Sequence, residues 1–325
     1  MDRDVDRALA DGVLARRLRP LAKAITLIES QRADHRARAR QLLEALLPHT
    51  GGAMRIGISG VPGVGKSTFI EAFGLYLIER GLRVAVLAVD PSSSLTGGSI
   101  LGDKTRMELL SRHPSAFIRP TPSAGSLGGV AEKTREVMLA CEAAGFDVIV
   151  VETVGVGQSE TAVAGMTDIF CLLQLPNAGD DLQAIKKGVV ELADLIAINK
   201  ADINPAAALA ARAQMKTALH MLRPASPNWT VPVLAISALQ KDGVAEFWET
   251  VCQYREAMTA SGEFAARRRH QATAWMWELI DAGLRQRFRQ HPRVMADLPG
   301  LLAAVEAGRA TPSAAALALL AYLKG

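Results

Sequence analysis

Cysteines, aromatic residues and long apolar runs are scarce in this chain. Its 325 residues include three cysteines, Cys141, Cys171 and Cys252, and no CxxC pair. Thiols so few and so scattered argue against a disulfide scaffold and against a cysteine-based zinc site. No apolar run reaches the ~18 residues that span a bilayer, and the charged amino terminus lacks the apolar centre of a signal peptide. We therefore expect a cytoplasmic protein with no membrane partner.

Charge of one sign is not in large excess either. The formal net charge is +4, aromatic residues make up 5% of the chain, and no nucleic-acid-binding motif accompanies the basic residues. We therefore predict no nucleic-acid partner. Two basic clusters, Arg32 to Arg40 and Arg267 to Arg269, are expected to be solvated helix faces. The six histidines are scattered without an HExxH pattern, and we assign them no role.

From Met54 onward, short apolar runs alternate with helical stretches. Such runs, which lack polar alternation, indicate strands covered on both faces. Their alternation with helices predicts an α/β fold with a mostly parallel sheet flanked by helices. The predicted strands lie within MRIGISG, RVAVLAVD, FDVIVVET, DIFCLLQLP, LIAINKAD and VPVLAIS.

Helical patterns flank this central region on both sides. Residues 1–52 are predicted to be an amino-terminal helical extension, broken or kinked at Pro20. Residues 53–260 would form the α/β domain, and residues 261–325 a carboxy-terminal helical segment. Within the carboxy-terminal part, helices are expected at 244–260, at 263–290 and after Thr311-Pro312, a pair typical of a helix start.

The first motif follows the first predicted strand. The stretch Gly60-Val-Pro-Gly63-Val64-Gly65-Lys66-Ser67 matches GxxxxGK[ST], the phosphate loop. Its glycines let backbone N–H groups surround a phosphate at the start of a helix, where the helix dipole favours anions. We expect Lys66 to reach the β and γ phosphates and Ser67 to bind Mg²⁺. Thr68 is expected to support the loop.

The second motif, Asn199-Lys200-Ala201-Asp202, matches the guanine-reading NKxD of GTPases. A carboxylate at Asp202 can accept hydrogen bonds from guanine N1–H and from the exocyclic amine. Adenine offers neither donor, so it would leave a desolvated charge unpaired. Asn199 and Lys200 would support the loop and cover the base. Ser237-Ala238-Leu239 resembles the loop whose backbone contacts guanine O6.

The third motif combines carboxylates with a glycine. Glu152 ends a strand and begins an ExxG sequence, and the N–H of Gly155 could sense the γ-phosphate. In other GTPases the catalytic glutamine directly follows this glycine, whereas Gln158 lies three residues beyond Gly155. We therefore predict that Gln158 orients the attacking water poorly, so that hydrolysis is slow and depends on a partner. Glu152, Asp90 and Asp103 supply carboxylates that fit Mg²⁺.

Together these motifs resemble the MeaB/ArgK-type branch of the P-loop GTPases, which serve metallo- and cobalamin enzymes. The strings that carry the resemblance span residues 60 to 202; they are GVPGVGKST, VLAVDPSS, GSILGDKTRM, VVETVGVGQSE, PNAGDDLQAIKKG and NKAD. The resemblance implies a GTP-dependent chaperone of an adenosylcobalamin-dependent acyl-CoA mutase, chiefly methylmalonyl-CoA mutase. Binding and hydrolysis of GTP to GDP would gate cofactor loading and protect the mutase.

The resemblance also implies roles for particular residues. The residues that bind or orient Mg²⁺ would be Ser67, Asp90, Asp103 and Glu152. The segments 103–106 and 152–160 would be two switches. A third switch at 177–188 would contact the mutase, with Asp180, Gln183 and Lys186 as its functional residues. The carboxy-terminal helices would form a homodimer.

Two alternatives stay open. A metallochaperone GTPase of the nickel-insertion type would use the same nucleotide motifs, but such proteins usually carry His-rich tracts or paired cysteines, and this chain has neither. A kinase of a transport protein would need an acceptor site and a base near the acceptor hydroxyl, for which we find no separate signature.

Overall fold

The computed structural model of this chain describes residues 2–90, 107–122, 127–153, 159–176, 187–222 and 224–324. The chain forms two compact units, Met1–Arg269 and His270–Gly325. The first unit contains a β-sheet together with the amino-terminal helices, and the described part of the second is helical. The division into three segments at 52 and 260 stays a prediction.

In the described part of the chain, seven parallel strands form one sheet in the order β3-β2-β4-β1-β5-β6-β7. The strands are β1 (Met54–Gly60), β2 (Val84–Asp90), β3 (Ala116–Pro122), β4 (Val148–Thr153), β5 (Ile169–Gln174), β6 (Leu195–Ile198) and β7 (Val233–Ala235). Helices connect them, as parallel strands require. The predicted α/β fold with a parallel sheet is therefore confirmed.

The central strands are apolar at nearly every position because helices cover both faces of the sheet. Every residue of β4 and of β5 is buried, which matches the uninterrupted apolar runs in their sequences. Successive side chains enter two different cores. Ile56 and Ile58 of β1 pack in one core with Phe69 and Phe73, whereas Ile149 of β4 lies in the other.

The sequence patterns missed one strand, β3. Its sequence, AFIRPTP, contains two prolines, which cannot donate hydrogen bonds to a ladder. The structure reconciles this composition with a strand by placing β3 at the edge of the sheet, where β2 is its one partner among the described strands. Prolines are tolerated at such an edge, where one side of the strand has no ladder to maintain.

The helices occupy most of the remaining described chain. In the first unit they are α1 (Asp2–Leu14), α2 (Leu18–Glu29), α3 (Ala33–Leu46), α4 (Lys66–Ile78), α5 (Glu108–Ser111), α6 (Leu127–Ala143), α7 (Ser159–Ala164), α8 (Lys187–Val190), α9 (Pro205–His220) and α10 (Val244–Ala260). Next come α11 (Glu263–Gln290), which continues into the second unit, then α12 (Pro292–Glu306) and α13 (Pro312–Leu320).

The amino-terminal helices join the core of the first unit. In α2, Leu21, Ile25 and Ile28 are completely buried and recur at helical spacing. The expected break at Pro20 lies instead before it, because α1 ends at Leu14 and α2 begins at Leu18. Pro20 occupies the first turn of α2, where its missing N–H would have no intrahelical partner.

The predicted carboxy-terminal helices are present. α10 and α11 begin and end at the predicted residues. The Thr311 hydroxyl accepts a hydrogen bond from Ala314 N at 3.2 Å, and Pro312 is the first residue of α13, so this pair starts the helix as expected. No described helix is both long and apolar enough to cross a bilayer.

The expectation that Arg267 and Arg268 are solvated is wrong. Arg268 forms a bidentate ion pair with Asp168, with N–O distances of 2.6 and 2.7 Å, and the Asp168 side chain is 1% exposed. The same guanidinium donates to Gly51 O at 2.6 Å and Ala53 O at 2.7 Å. It therefore attaches the first turns of α11 to the residues that precede β1.

Arg267 makes a second attachment nearby. It pairs with Asp194, which precedes β6, and donates to the Tyr254 hydroxyl at 2.6 Å. Burial lowers the pKa of Arg267 more than any single neighbour raises it, but Asp194, Tyr254 and Asp168 together outweigh burial and the pKa is raised overall. The two arginines belong to a single ionic cluster at the amino-terminal ends of the strands. The cluster formed by Arg267, Arg268, Asp168, Asp194 and Tyr254 is called the basal cluster below.

Candidate nucleotide-binding site

The phosphate loop connects β1 to α4 and depends on glycine at three described positions, one of them Gly63, whose φ is +79°. A Cβ on Gly60 would lie 2.5 Å from Leu173 O of the neighbouring β5. This distance is too short for any side chain to be accommodated. Gly65, the N-cap of α4, has a φ of +93°, which an L side chain rarely adopts. These constraints explain why the turn from strand to helix requires a glycine-rich sequence.

Lys66 and Ser67 lie in the first turn of α4, as predicted. The Lys66 ammonium group donates to Gly60 O at 2.7 Å and to Val61 O at 3.3 Å, and the side chain is buried. Its charge therefore lies within the curve of the loop. The Ser67 hydroxyl donates to the Glu152 carboxylate at 3.4 Å, so the loop and the end of β4 meet at this point.

Glu152 presents a carboxylate beside the phosphate loop and is 4% exposed. The hydroxyl of the next residue, Thr153, donates a hydrogen bond to Ser59 Oγ at 2.9 Å. This bond is a further link between β4 and β1. A hydroxyl and a carboxylate are the hard oxygen ligands that Mg²⁺ prefers, and Mg²⁺ generally completes its shell with phosphates and waters. Ser67 and Glu152 therefore fit a Mg²⁺ site. No group of three or more His, Cys, Asp or Glu suited to a metal occurs among the described residues.

Asn199 connects three loops. Its amide nitrogen donates to Val64 O of the phosphate loop at 2.8 Å. Its amide oxygen accepts from Ala238 N of the loop after β7 at 3.0 Å. The side chain is 1% exposed, so both bonds are protected from water and join the phosphate loop to the loops that follow β6 and β7.

The other residues of the predicted guanine-reading loops lie near this contact. Lys200 has a φ of +62°, unusual for a residue with a side chain. Asp202 is partly exposed, which leaves its carboxylate accessible. Ser237 is buried, and its backbone exchanges two hydrogen bonds with the backbone of Asp242, each 3.0 Å long. Leu239, between them, is 77% exposed. The two backbone bonds therefore fix the ends of this turn, whereas Leu239 in its middle is accessible to solvent.

The comparison with known proteins agrees with this geometry. A family model described as methylmalonyl Co-A mutase-associated GTPase MeaB matches residues 21–293. The chain belongs to the MeaB family. The resemblance inferred from the motifs is thereby confirmed.

Three relatives show how far the similarity extends. GTPase ArgK of Escherichia coli is 54% identical over 257 residues, which cover 79% of this chain and 78% of ArgK. The methylmalonic aciduria type A homolog of Mus musculus, described as mitochondrial, is 46% identical over 335 residues, covering 99% of this chain and 80% of its own. The crystal structure of a LAO/AO transport system kinase matches with a TM-score of 0.80 at 38% identity, covering 100% of this chain and 99% of that one.

This MeaB-family protein is a P-loop GTPase that binds guanine nucleotide and hydrolyses GTP. The structure places the described site residues at the carboxyl ends of β1, β4, β6 and β7, the edge where parallel α/β sheets bind ligands. Thr68, predicted to support the loop, is exposed on the first turn of α4.

Several predicted residues lie outside the described part of the MeaB-family chain. They are Asp103, Gly155, Gln158, Asp180, Gln183 and Lys186, together with the side chain of Asp90. Their assignments stay predictions. Sequence reasoning overlooked the bond between Ser59 and Thr153, although a serine inside the apolar run MRIGISG is a signal that a buried hydroxyl has a partner.

Proposed function

We propose that this GTPase is a chaperone of an adenosylcobalamin-dependent acyl-CoA mutase, chiefly methylmalonyl-CoA mutase, and that it gates cofactor loading and protects the mutase. The observation that carries the nucleotide half of the proposal is the Asn199 connection between the phosphate loop and the guanine-reading loops. The partner half is supported by the description of the family model and by the name of the mouse relative.

The chain's own residues would bind and orient the nucleotide. Lys66 would bind the β and γ phosphates, the glycine N–H groups would enclose them, and Asp202 would select guanine. Ser67 and Glu152 would hold Mg²⁺, aided by Asp90 and Asp103. A bound Mg²⁺ would neutralise charge developing on the phosphates.

Hydrolysis without a partner is expected to be slow because Gln158 lies outside the usual catalytic position. Gly155 would sense the γ-phosphate, and its loop would rearrange when that phosphate leaves. The segment with Asp180, Gln183 and Lys186 would transmit the change to the mutase. Replacing Lys186 with alanine should leave GTP affinity nearly unchanged and reduce stimulation by the mutase. Equal stimulation of variant and wild type would contradict this role.

Self-association is the second part of the proposal. The second unit is small, and its buried apolar residues among those described are Val294, Ala315 and Leu319. α11 is described along its whole length and has no buried residue. Its large apolar side chains include Trp277, which is 57% exposed, and Leu284, which is 56% exposed. Large apolar side chains exposed in this way favour a contact with a second copy of the chain.

The deciding experiment measures phosphate release from GTP and from ATP, with and without purified methylmalonyl-CoA mutase. We expect slow GTP turnover that increases with the mutase, and no ATP turnover. GTP turnover indifferent to the mutase would remove this partner while leaving the GTPase. ATP binding as tight as GTP binding would contradict the role of Asp202.

A second candidate is kinase activity toward a transport protein, which the name of the matched crystal structure favours. Labelled γ-phosphate distinguishes the two functions. A GTPase chaperone releases the label as inorganic phosphate, whereas a kinase transfers it to a protein acceptor.

A further inference from the structure

The connection between α1 and α2 is rich in arginine. It reads Arg16-Arg17-Leu18-Arg19, and its three arginines are exposed. Other arginines of the amino-terminal helices are paired with carboxylates; these pairs are Arg32 with Asp34, Arg38 with Asp6 and Arg40 with Glu44. Within the described chain, no carboxylate forms an ion pair with an arginine of the connection. A local excess of positive charge therefore lies at this point.

Arg16 adopts a backbone conformation that favours glycine. Its φ is +59°. It follows the end of α1, where its N–H donates to Val13 O at 2.8 Å and the N–H of Arg17 donates to Gly12 O at 3.2 Å. Glycine is usual at this position after a helix, because a side chain is disfavoured in the left-handed region. An arginine in such a place indicates that its side chain has a use that outweighs the backbone preference.

The guanidinium of Arg16 lies on the turn that follows α6. A Cβ added to Gly145 would be 2.7 Å from Nε of Arg16 and 3.1 Å from its Cζ, so the guanidinium lies directly over the glycine. None of its N–H groups donates a hydrogen bond to another residue that the structure describes. The donors of Arg16 are therefore available to a ligand.

A second guanidinium is fixed at the same turn. Arg83 Nη1 donates to Ala144 O and, at 3.1 Å, to Gly145 O. Its Cζ lies 4.4 Å from the centroid of the Phe146 ring, a favourable cation–π contact. These contacts hold the guanidinium in one place, whereas its Nε and Nη2 groups donate to no residue of the described ranges. Arg83 is thus positioned in advance, with donors to spare.

The charges at this turn are not balanced. Burial is the largest cause that lowers the pKa of Arg83, and the like charge of Arg16 is the next. Asp147 acts in the opposite direction without cancelling them, and its carboxylate accepts from the Arg83 backbone N–H at 2.8 Å. The carbonyl groups at the end of α6 offset a further part of the charge. An anion in contact with both guanidiniums would relieve their remaining repulsion.

This arginine pair lies at the opposite edge of the sheet from the nucleotide site. Arg83 directly precedes β2, and Gly145 lies three residues before the start of β4. The nucleotide motifs follow the carboxyl ends of the strands. The seven residues of β2, at ~3.3 Å each, separate the two edges by about 20 Å. The pair is therefore distinct from the phosphate loop.

We propose that Arg16 and Arg83 form a second anion-binding site, which takes a phosphate group. Guanidinium groups match the oxygens of phosphate in charge and geometry. A phosphate monoester carries about −1.5 to −2 charges at pH 7, so it matches two guanidiniums better than a single carboxylate does. The phosphate comes either from the solution, as the inorganic phosphate that GTP hydrolysis releases, or from a small phosphorylated molecule.

The test is a calorimetric titration at constant ionic strength. The protein is first saturated with Mg²⁺ and a non-hydrolysable GTP analogue, so that the phosphate loop is filled. Inorganic phosphate and glycerol 3-phosphate are then titrated separately. The variants are Arg16→Gly and Arg83→Gln, and the matched control is Arg36→Ala, which removes an exposed arginine from α3.

We expect the Kd for phosphate to rise about tenfold in Arg16→Gly and in Arg83→Gln, as for loss of a hydrogen bond to a charged group. Arg36→Ala should bind as wild type does. Arg16→Gly should melt at a temperature no lower than wild type, because glycine relieves the backbone. Lost binding in this variant therefore cannot result from unfolding. Tighter binding of glycerol 3-phosphate than of inorganic phosphate would identify a phosphorylated molecule as the ligand, and the reverse order would identify inorganic phosphate.

Three results would overturn the proposal. The first is a nucleotide-saturated wild type that binds neither probe. The second is phosphate affinity that falls as much in Arg36→Ala as in Arg16→Gly, which would show a general charge effect. The third is a lower melting temperature of Arg16→Gly with unchanged phosphate affinity, which would show that Arg16 serves packing alone.

Discussion

Single side chains in this protein connect segments that are far apart in sequence. Asn199 is the strongest example, because one buried amide uses both its nitrogen and its oxygen to join the phosphate loop to the loop after β7. The residue belongs to a motif known for reading the base. The structure shows that it also fixes the distance between the two halves of the site.

Replacing Asn199 with alanine should therefore weaken binding of both GTP and GDP. Two lost hydrogen bonds correspond to roughly a tenfold to hundredfold loss of affinity, measured with a fluorescently labelled guanine nucleotide. The control is Asn228→Ala, which removes the same kind of side chain from an exposed position. Nucleotide affinity of Asn199→Ala equal to that of the control would contradict the bridging role.

At the scale of elements, the basal cluster replaces what the sequence suggested was a solvated helix face. Three consecutive arginines at the start of a long helix are typical of an exposed surface. The pattern carries no sign that Asp168 and Asp194, about 100 and 73 residues earlier in the chain, are their partners. Only the arrangement of β5, β6 and α11 brings these charges together.

Replacing Arg268 with alanine should destabilise the first unit. The change leaves the buried Asp168 carboxylate without its bidentate partner, and breaking such a pair costs about 3 kcal/mol. Denaturant unfolding gives the free energy, and Arg255→Ala, which removes an exposed arginine from α10, is the matched control. A loss no greater than that of the control would show that the ion pair contributes little.

The sequence predicted the elements whose signals are local. Uninterrupted apolar runs identified six strands, and capping residues marked the start of α13. β3 escaped because its two prolines contradict a central strand, and only the sheet order shows that it lies at an edge. The motifs located Lys66, Glu152 and Asn199 at strand ends or helix starts, whereas the contacts that these residues make depend on strand order, which no local pattern contains.

At the scale of the whole molecule, the two units differ in how much apolar surface they bury. The first unit has two extensive cores on opposite faces of its sheet. The second leaves large apolar side chains exposed along α11. A unit with so little interior of its own is expected to gain stability from association with a partner surface.

Replacing both Trp277 and Leu284 with glutamate should convert a dimer into a monomer, because charges would be buried in the proposed contact. Sedimentation velocity measures the change, and phosphate release should continue since the site lies in the first unit. Leu209→Glu is the control, because Leu209 is an exposed leucine of α9 in the first unit. A wild type that sediments as a monomer would contradict self-association.

The prolines of β3 have a consequence beyond their place in the sheet. Because β3 keeps its full register with β2, the nitrogens of Pro120 and Pro122 face the open side of the strand, where they offer no N–H. A strand from another molecule adding to that side would find donors missing at alternate positions. The edge of the sheet formed by β3 thus resists strand-to-strand aggregation through the covalent structure of its prolines.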